Sequence, residues 1–211
     1  MRFPLPQLSR RVDEFVNHIV RLSNCCRRIE EQFGHGRLRV SDVELVYTSS
    51  FLSACSRWES LLEQCLYDTV CGAESPRRGN YRLASFRSRW HLQQVLLHPN
   101  KDYVSFQSLK QTKELAALFT NEGRPFSAIS ESNQTYIQQA MWIRNAIAHQ
   151  SDFALGLFRE RVPGVDALLP NKQVPGPFLR FEFRVSPTQR RYELYFGALQ
   201  RAAVEVHDAW L

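Results

Sequence analysis

Apolar side chains recur every three or four residues over most of the chain before His149, which is the period of a helix with one buried face. In the first such segment they are Val12, Phe15, Val16, Ile19, Leu22, Cys26 and Ile29. Ser9 is placed to cap this helix, and Gly34-His35-Gly36 is placed to end it. The pattern therefore predicts a first helix over residues 9–33.

A second long helix is predicted directly afterwards. Ser41 is expected to cap it, with Glu44 three positions later completing a capping box. Its apolar stripe comprises Val43, Tyr47, Phe51, Ala54, Trp58, Leu61, Cys65 and Leu66. We expect this helix to end near Cys71 and Gly72.

The middle of the chain predicts shorter elements. Residues 74–89 are polar and rich in arginine, which indicates a loop or a long insertion. Helices are expected over residues 90–97, ended by Pro99, and over residues 108–119. A turn at residues 124–126 then precedes a further helix that opens at Ser130 or Ser132. Its apolar stripe comprises Tyr136, Ile137, Ala140, Met141, Ile143 and Ile147.

The pattern changes after Phe158, where prolines and glycines indicate a loop. Alternation then predicts a half-buried strand through Leu179, Phe181, Phe183 and Val185. Ser186 and Pro187 fit the N-cap and first position of a final helix that reaches Trp210. Residues 192–196 also alternate, so a second strand there is the alternative.

These elements predict a mainly α fold, an antiparallel helical bundle with a small C-terminal β element and a terminal helix. We expect a helical domain over residues 1–158 and a C-terminal extension of loop, strand and helix over residues 159–211, packed on the same domain. The 211 residues suffice for one such domain with a substantial core.

Composition narrows the class of protein. Hydrophobic residues make up 44% and charged residues 23%, and no apolar run could span a bilayer. The N-terminus lacks the apolar core of a signal peptide, so the expected compartment is the cytoplasm. The net charge of +6 favours polyanionic partners such as RNA. The five cysteines form no CxxC pair, and we expect thiols packed between helices, no metal and no cofactor.

The candidate chemistry lies in the segment Arg144-Asn145-Ala146-Ile147-Ala148-His149. Asn145 and His149 are four residues apart and share a helix face. Arg144 and His149 are five apart, which is about 140° around an ideal helix. Either the helix ends or bends near Ala148, or a second chain contributes one of the two groups.

These three side chains suit RNA cleavage. Histidine exchanges protons near neutral pH, arginine binds phosphate oxygens, and asparagine can orient the histidine or bind the sugar. One chain supplies one histidine in this segment, whereas an acid and a base are both needed, so a two-fold symmetric dimer is expected. The structural alternative is that Arg144 and Asn145 cap a neighbouring helix and His149 satisfies its own helix end.

The same segment resembles the last helix of the HEPN superfamily, and especially the branch called RiboL-PSP-HEPN. The resemblance covers residues 8–158 and implies a HEPN-like bundle and a metal-independent endoribonuclease, in which 2′-hydroxyl attack takes place at a homodimeric cleft. It implies that Arg144 and His149 are catalytic and that Asn145 supports them. Glu59, in Ser56-Arg57-Trp58-Glu59, is a further supporting candidate that could pair with Arg144, or else a solvent-facing residue.

The implied setting is a toxin–antitoxin pair or defence against phage, with a possible antitoxin or defence-complex partner. In some HEPN toxins a modifiable tyrosine lies two residues after the histidine, but Ser151 stands at that position here. The alternative function is a non-catalytic HEPN module that binds RNA, nucleotide or a partner protein.

The arginine-rich stretch adds candidate RNA ligands, because arginine binds phosphate and aromatic rings stack on bases. The candidates are Arg77, Arg78, Arg82, Arg87 and Arg89, interleaved with Tyr81, Phe86 and Trp90. The alternative is a solvated loop whose aromatic side chains anchor it to the core.

Overall fold

The protein is mainly helical, with one small sheet near the C-terminus. The computed structural model describes residues 7–71, 82–84, 86–97 and 104–210. The helices in these ranges are α1 (Gln7–Gly34), α2 (Val40–Cys71), α3 (Arg89–Leu96), α4 (Leu109–Ala117), α5 (Glu131–His149), α6 (Asp152–Arg161), α7 (Pro175–Arg180) and α8 (Arg191–Trp210). Strands β1 (Glu182–Val185) and β2 (Thr188–Arg190) pair in antiparallel fashion. The predicted fold class is confirmed at this level.

The two long helices α1 and α2 pack against each other, as the apolar stripes predict. Phe15 and Trp58 meet between them, with ring centroids 5.9 Å apart. Both side chains are buried, and such aromatic pairs bury a large apolar area.

Both predicted caps of these helices are wrong. Ser9 lies inside α1, and a hydrogen bond of 2.8 Å joins its hydroxyl to the imidazole of His207 in α8. Ser41 lies inside α2, where the Arg39 backbone N–H donates to the Asp42 carboxylate at 2.9 Å. An acidic side chain three positions after the cap therefore satisfies a free N–H here, which fixes the start of α2 slightly earlier than predicted.

The C-terminal helix α8 completes the core and packs against α1, α2 and α5. Tyr192 meets Tyr47 of α2 at 5.2 Å between ring centroids. Tyr195 packs edge-on against Phe51 of α2 at 5.8 Å and against Tyr136 of α5 at 6.1 Å. The last twenty-residue helix is thus part of the same apolar interior as the motif-bearing helix α5.

The segment before α8 differs from its prediction. Leu179 belongs to the short helix α7, and β1 begins only at Glu182. The strand is exposed rather than half-buried, with Val185 82% exposed. Ser186 and Pro187 form the turn of the β1–β2 hairpin and do not cap a helix.

The start of α8 was predicted too early, because the chain first completes the hairpin. The Arg190 backbone N–H donates to the Glu193 carboxylate at 3.3 Å, which places the helix start at Arg191. The alternative of a strand over residues 192–196 is wrong, since these residues are helical.

The shorter predicted helices are confirmed. Ser88 caps α3 by accepting from the His91 N–H, and Ser108 caps α4 by accepting from the Gln111 N–H. Pro99, predicted to end α3, lies outside the described residues. No helix in the described part of the chain combines the length and apolar character needed to cross a membrane.

Candidate functional site

The motif-bearing helix α5 has one buried and one open side. Its buried side includes Ile137, Ala140, Ile143 and Ala146, as the predicted stripe indicates. Five residues with the spacing four, four, three and four lie opposite: Gln134, Gln138, Trp142, Asn145 and His149. At 100° per residue they fall within an arc of about 80°. Asn145 and His149 therefore share one side of α5 with a tryptophan and two amides.

His149 is the last residue of α5 and is exposed. The following residue, Gln150, adopts φ +49°, and its N–H donates to the Ala146 carbonyl at 3.2 Å. Ser151 then caps α6 by accepting from the Ala154 N–H at 3.2 Å. The helix thus continues through Ala148 to His149, so the alternative of an end before the histidine is not realised, and His149 stands at the open corner between two helices.

Arg144 turns towards α2 rather than towards His149. Its Nη1 donates to Asn145 Oδ1 at 3.1 Å, and its Nε lies 3.7 Å from Glu59 Oε1. The side chains of Arg144 and Glu59 are 17% and 21% exposed. Glu59 thus stands beside Arg144, as the sequence suggested it could, and the half-buried Asn145 lies between the guanidinium and the open side of α5.

Burial dominates the electrostatics of Glu59. It raises the pKa of this carboxyl, and the nearby charge of Arg144 only partly opposes the shift. The buried Oε1 atom of Glu59 has no hydrogen-bond partner within the described residues. The Cys55 thiol lies in the same environment, where burial raises its pKa and the Glu59 charge raises it further. Arg144 and Glu59 therefore lie close together but do not form a hydrogen bond.

Within one chain Arg144 and His149 do not converge. The helix is continuous between them, so their side chains project about 140° apart. His149 makes no hydrogen bond or ion pair with any described residue. The polar partners of Arg144 are the side chains of Asn145 and Glu59, so the alternative of a guanidinium that caps a neighbouring helix is not realised in the described ranges.

The arginine-rich stretch is only partly described. Arg77 and Arg78 lie outside the described residues, as does Tyr81. Arg82 pairs through its backbone with Thr120, and Arg87 is exposed. Arg89 donates to the buried carboxylate of Asp68 at 2.6 Å.

This stretch does not meet the α5 motif in the described residues. Arg89 binds Asp68 near the end of α2. Asp68 follows Glu59 by nine residues, which is about 13 Å along the helix axis. Phe86 packs edge-on against Phe119 at 5.4 Å, so this ring anchors the segment to the core. Trp90 is 69% exposed. The structure therefore gives Arg89 and Phe86 structural contacts and leaves Arg87 open to solvent.

Sequence reasoning missed a groove beside the motif. A cavity of about 500 Å³ lies between α4 and α5, and its lining includes Lys110, Lys113, Gln138 and Trp142. The spacing of Gln134, Gln138, Trp142, Asn145 and His149 is the signal that could have shown that one side of α5 continues from this groove to the imidazole.

Comparison with known proteins does not assign the chain to a family. Neither a protein family model, nor a curated protein, nor a solved structure matches the chain. In the part of the chain that the structure describes, no cluster of three or more histidine, cysteine or acidic side chains is arranged to hold a metal ion.

Proposed function

We propose that this protein is a metal-independent endoribonuclease of the HEPN type that acts as a homodimer. One observation carries the proposal: the exposed imidazole of His149 shares a helix side with Asn145, whose carboxamide accepts a hydrogen bond from Arg144. An imidazole and an amide thus share one side of α5 at its end, and the amide also holds the guanidinium of Arg144.

The reaction needs two proton transfers. One His149 removes the proton from the 2′-hydroxyl, whose oxygen attacks the adjacent phosphorus. The bond from phosphorus to the 5′-oxygen breaks, and a second imidazole donates the proton that the leaving oxygen needs. The products carry a 2′,3′-cyclic phosphate and a 5′-hydroxyl. Arg144 supplies positive charge for the phosphorane, which gains negative charge during the attack.

The proposal of a dimer rests on the direction of the side chains. Since Arg144 and His149 point about 140° apart on a continuous helix, one chain does not present both to a single phosphate. Two copies of α5 facing each other across a two-fold axis place two copies of the motif around one cleft, with an imidazole from each chain. His149 is suited to such a contact because it stands at an exposed corner of the chain.

The biological role that fits this chemistry is a toxin of a toxin–antitoxin pair or a nuclease of phage defence. Uncontrolled RNA cleavage would arrest growth, so the proposal includes a partner that restrains the enzyme. Ser151 occupies the position of the modifiable tyrosine of some HEPN toxins, so restraint by a bound antitoxin is favoured over nucleotide transfer to that position.

The test is RNA cleavage by the purified protein in the presence of EDTA. We expect wild type to cut single-stranded RNA and leave cyclic phosphate ends, and His149→Ala to lose activity by at least about 10²-fold. His35→Ala is the matched control, because His35 is also exposed just beyond the end of a helix. Intact RNA with wild-type dimer would contradict the proposal.

A non-catalytic module is the second candidate, and one observation favours it. Arg144 is already engaged by Asn145 and lies beside Glu59 within its own chain, as in a structural ion pair. This candidate predicts that RNA stays intact and that Arg144→Ala lowers the free energy of unfolding, while His149→Ala has no effect on either.

A further inference from the structure

The groove between α4 and α5 combines a ring, a free amide and a positive charge. Trp142 is half-buried along its wall, so one part of the indole is held by the protein and another part is open. Gln138 lies one helical turn before Trp142, is exposed, and makes no hydrogen bond within the described residues. A ring and an unused amide at this spacing suit a flat ligand with polar edges.

Lys113 makes no ion pair within the described residues, although Glu114 also lines this groove. Its Nζ donates to Gln134 Oε1 at 3.3 Å, and Gln134 is itself fixed because its Nε2 donates to the Ile129 carbonyl at 2.6 Å. Lys110, also at the groove, lies 3.9 Å from Glu114 in an exposed pair. The lining thus carries two lysines and one glutamate, so the groove keeps one net positive charge that attracts anions.

The groove and His149 lie on the same side of α5. Trp142 precedes His149 by seven residues, which is about 10 Å along the helix axis. Asn145 lies between them on that side. A single strand whose phosphate is held at His149, and which follows this side of α5, therefore reaches the groove within about two helical turns.

We infer that this groove is a binding subsite for a nucleotide that flanks the cleaved linkage of single-stranded RNA. The base stacks on Trp142, its polar edge meets the amide of Gln138, and the backbone phosphate lies near Lys113. This inference deepens the proposed ribonuclease function and rests on it for the identity of the ligand.

Binding of a 2′-O-methyl oligonucleotide tests the subsite without cleavage, because that RNA has no attacking hydroxyl. We expect Trp142→Leu to weaken binding by about tenfold, as loss of one stacked base does. Lys113→Gln should weaken binding severalfold and reduce the salt dependence by about one phosphate contact. Lys172→Gln, an exposed lysine of the Pro170–Lys172 turn, is the control and should bind as wild type does.

The outcomes separate the subsite from the ribonuclease proposal. Cleavage of long RNA that is unchanged in both groove variants, together with wild-type affinity, would overturn the subsite and leave the enzyme intact. Weaker binding by both variants with no cleavage by wild type would support a single-strand subsite and refute the enzyme. If Trp142→Leu dissociates the dimer while Lys113→Gln binds normally, the groove is a contact between subunits, and the inference is wrong.

Discussion

Glu59 Oε1 lies 3.7 Å from Arg144 Nε, at the contact between α2 and α5. The pair has the geometry of a salt bridge, but the cost of burying the carboxylate exceeds its attraction to the guanidinium. Burial raises the pKa of Glu59, and the charge of Arg144 does not fully offset it. Ionised Glu59 therefore costs folding free energy, and what the carboxylate provides is the placement of the guanidinium beside Asn145.

The first prediction concerns Glu59→Gln. The neutral amide avoids the cost of a buried carboxylate, so at pH 7 we expect the free energy of unfolding to rise by less than about 1 kcal/mol. The folded pKa is raised, so the penalty is full above the folded value, and it disappears as pH falls below the ordinary carboxyl value of about 4.3. Urea unfolding of both proteins between pH 7 and pH 4 measures the difference.

At pH 7 the sign of the difference in unfolding free energy shows whether burial or the attraction to Arg144 dominates at Glu59. A marked loss of stability in Glu59→Gln would mean that the attraction to Arg144 outweighs burial. In an RNA cleavage assay the same variant should lose activity even though it is no less stable, because Arg144 is then held on one side only. Loss of activity without loss of stability is the combination that a purely structural pair does not produce.

A second prediction concerns Glu30, which has the opposite pH dependence. Burial alone would raise the pKa of Glu30, but hydrogen bonding to Arg180 and the charges of Arg190 and Arg180 outweigh it and leave the pKa below its usual value. Arg180 Nε donates to Glu30 at 2.8 Å, and Arg190 Nη1 donates to it at 3.0 Å. This carboxylate therefore ties α7 and β2 to α1.

Glu30→Gln should lower the free energy of unfolding by about 2 kcal/mol at pH 7, because two guanidinium groups lose their charged acceptor. With a lowered folded pKa, the stabilisation is full above the ordinary carboxyl value and is lost as pH falls through the folded value. The stabilities of the variant and wild type should therefore converge as pH falls below the folded pKa of Glu30. Equal stability of the variant and wild type at pH 7 would contradict a stabilising role for the Glu30 carboxylate. The Glu59→Gln series is the control, because there the change in stability has the opposite sign.

Helical periodicity predicted most of the fold because each long helix buries one continuous stripe. The caps of α1 and α2 were wrong because several polar residues near a helix start can satisfy a free N–H. In α2, Asp42 took the role that the predicted capping box gave to Glu44. The C-terminal segment was harder. The alternation of Leu179 to Val185 is consistent with either a strand or a short helix followed by a strand, and tertiary packing of Leu179 decided between them.

The site shows a similar division. The positions of Arg144, Asn145 and His149 on one helix follow from the apolar stripe of α5, which the sequence displays. The contact with Glu59 depends on how α2 packs against α5, and no local pattern encodes that register. The groove with Lys113 was not predicted, because α4 and α5 are separated by turns whose path the sequence does not fix.

The third prediction concerns Asp68 and the two arginines that bind it. Asp68 is 8% exposed and accepts from Arg11 and Arg89, each at 2.6 Å. Asp68→Ala should therefore lower the free energy of unfolding by about 2 kcal/mol, since two cations lose their partner. Arg89→Ala should lower it by less than about 1 kcal/mol, because this arginine is 47% exposed.

The matched pair for RNA binding is Arg87→Ala and Arg89→Ala. Arg87 is exposed, so its removal should weaken RNA binding severalfold with no change in stability. Arg89 is held by Asp68 and should affect stability more than binding. Nitrocellulose filter binding at two salt concentrations and urea unfolding together measure both effects. A larger binding defect for Arg89→Ala would show that its ion pair opens to reach RNA.

The fourth prediction tests whether Arg144 acts through its shape as well as its charge. The guanidinium reaches Asn145 Oδ1 through Nη1 while its Nε lies beside Glu59, and an ammonium group does not present two donors in that geometry. Arg144→Lys should therefore lower kcat for RNA cleavage by about 10²-fold, with little change in KM, because the charge is misplaced when the phosphorane forms. Arg159→Lys, at an exposed position in the last turn of α6, is the control and should cleave normally. Full activity in Arg144→Lys would mean that positive charge alone is sufficient at this position, and the hydrogen bond to Asn145 would then have no part in catalysis.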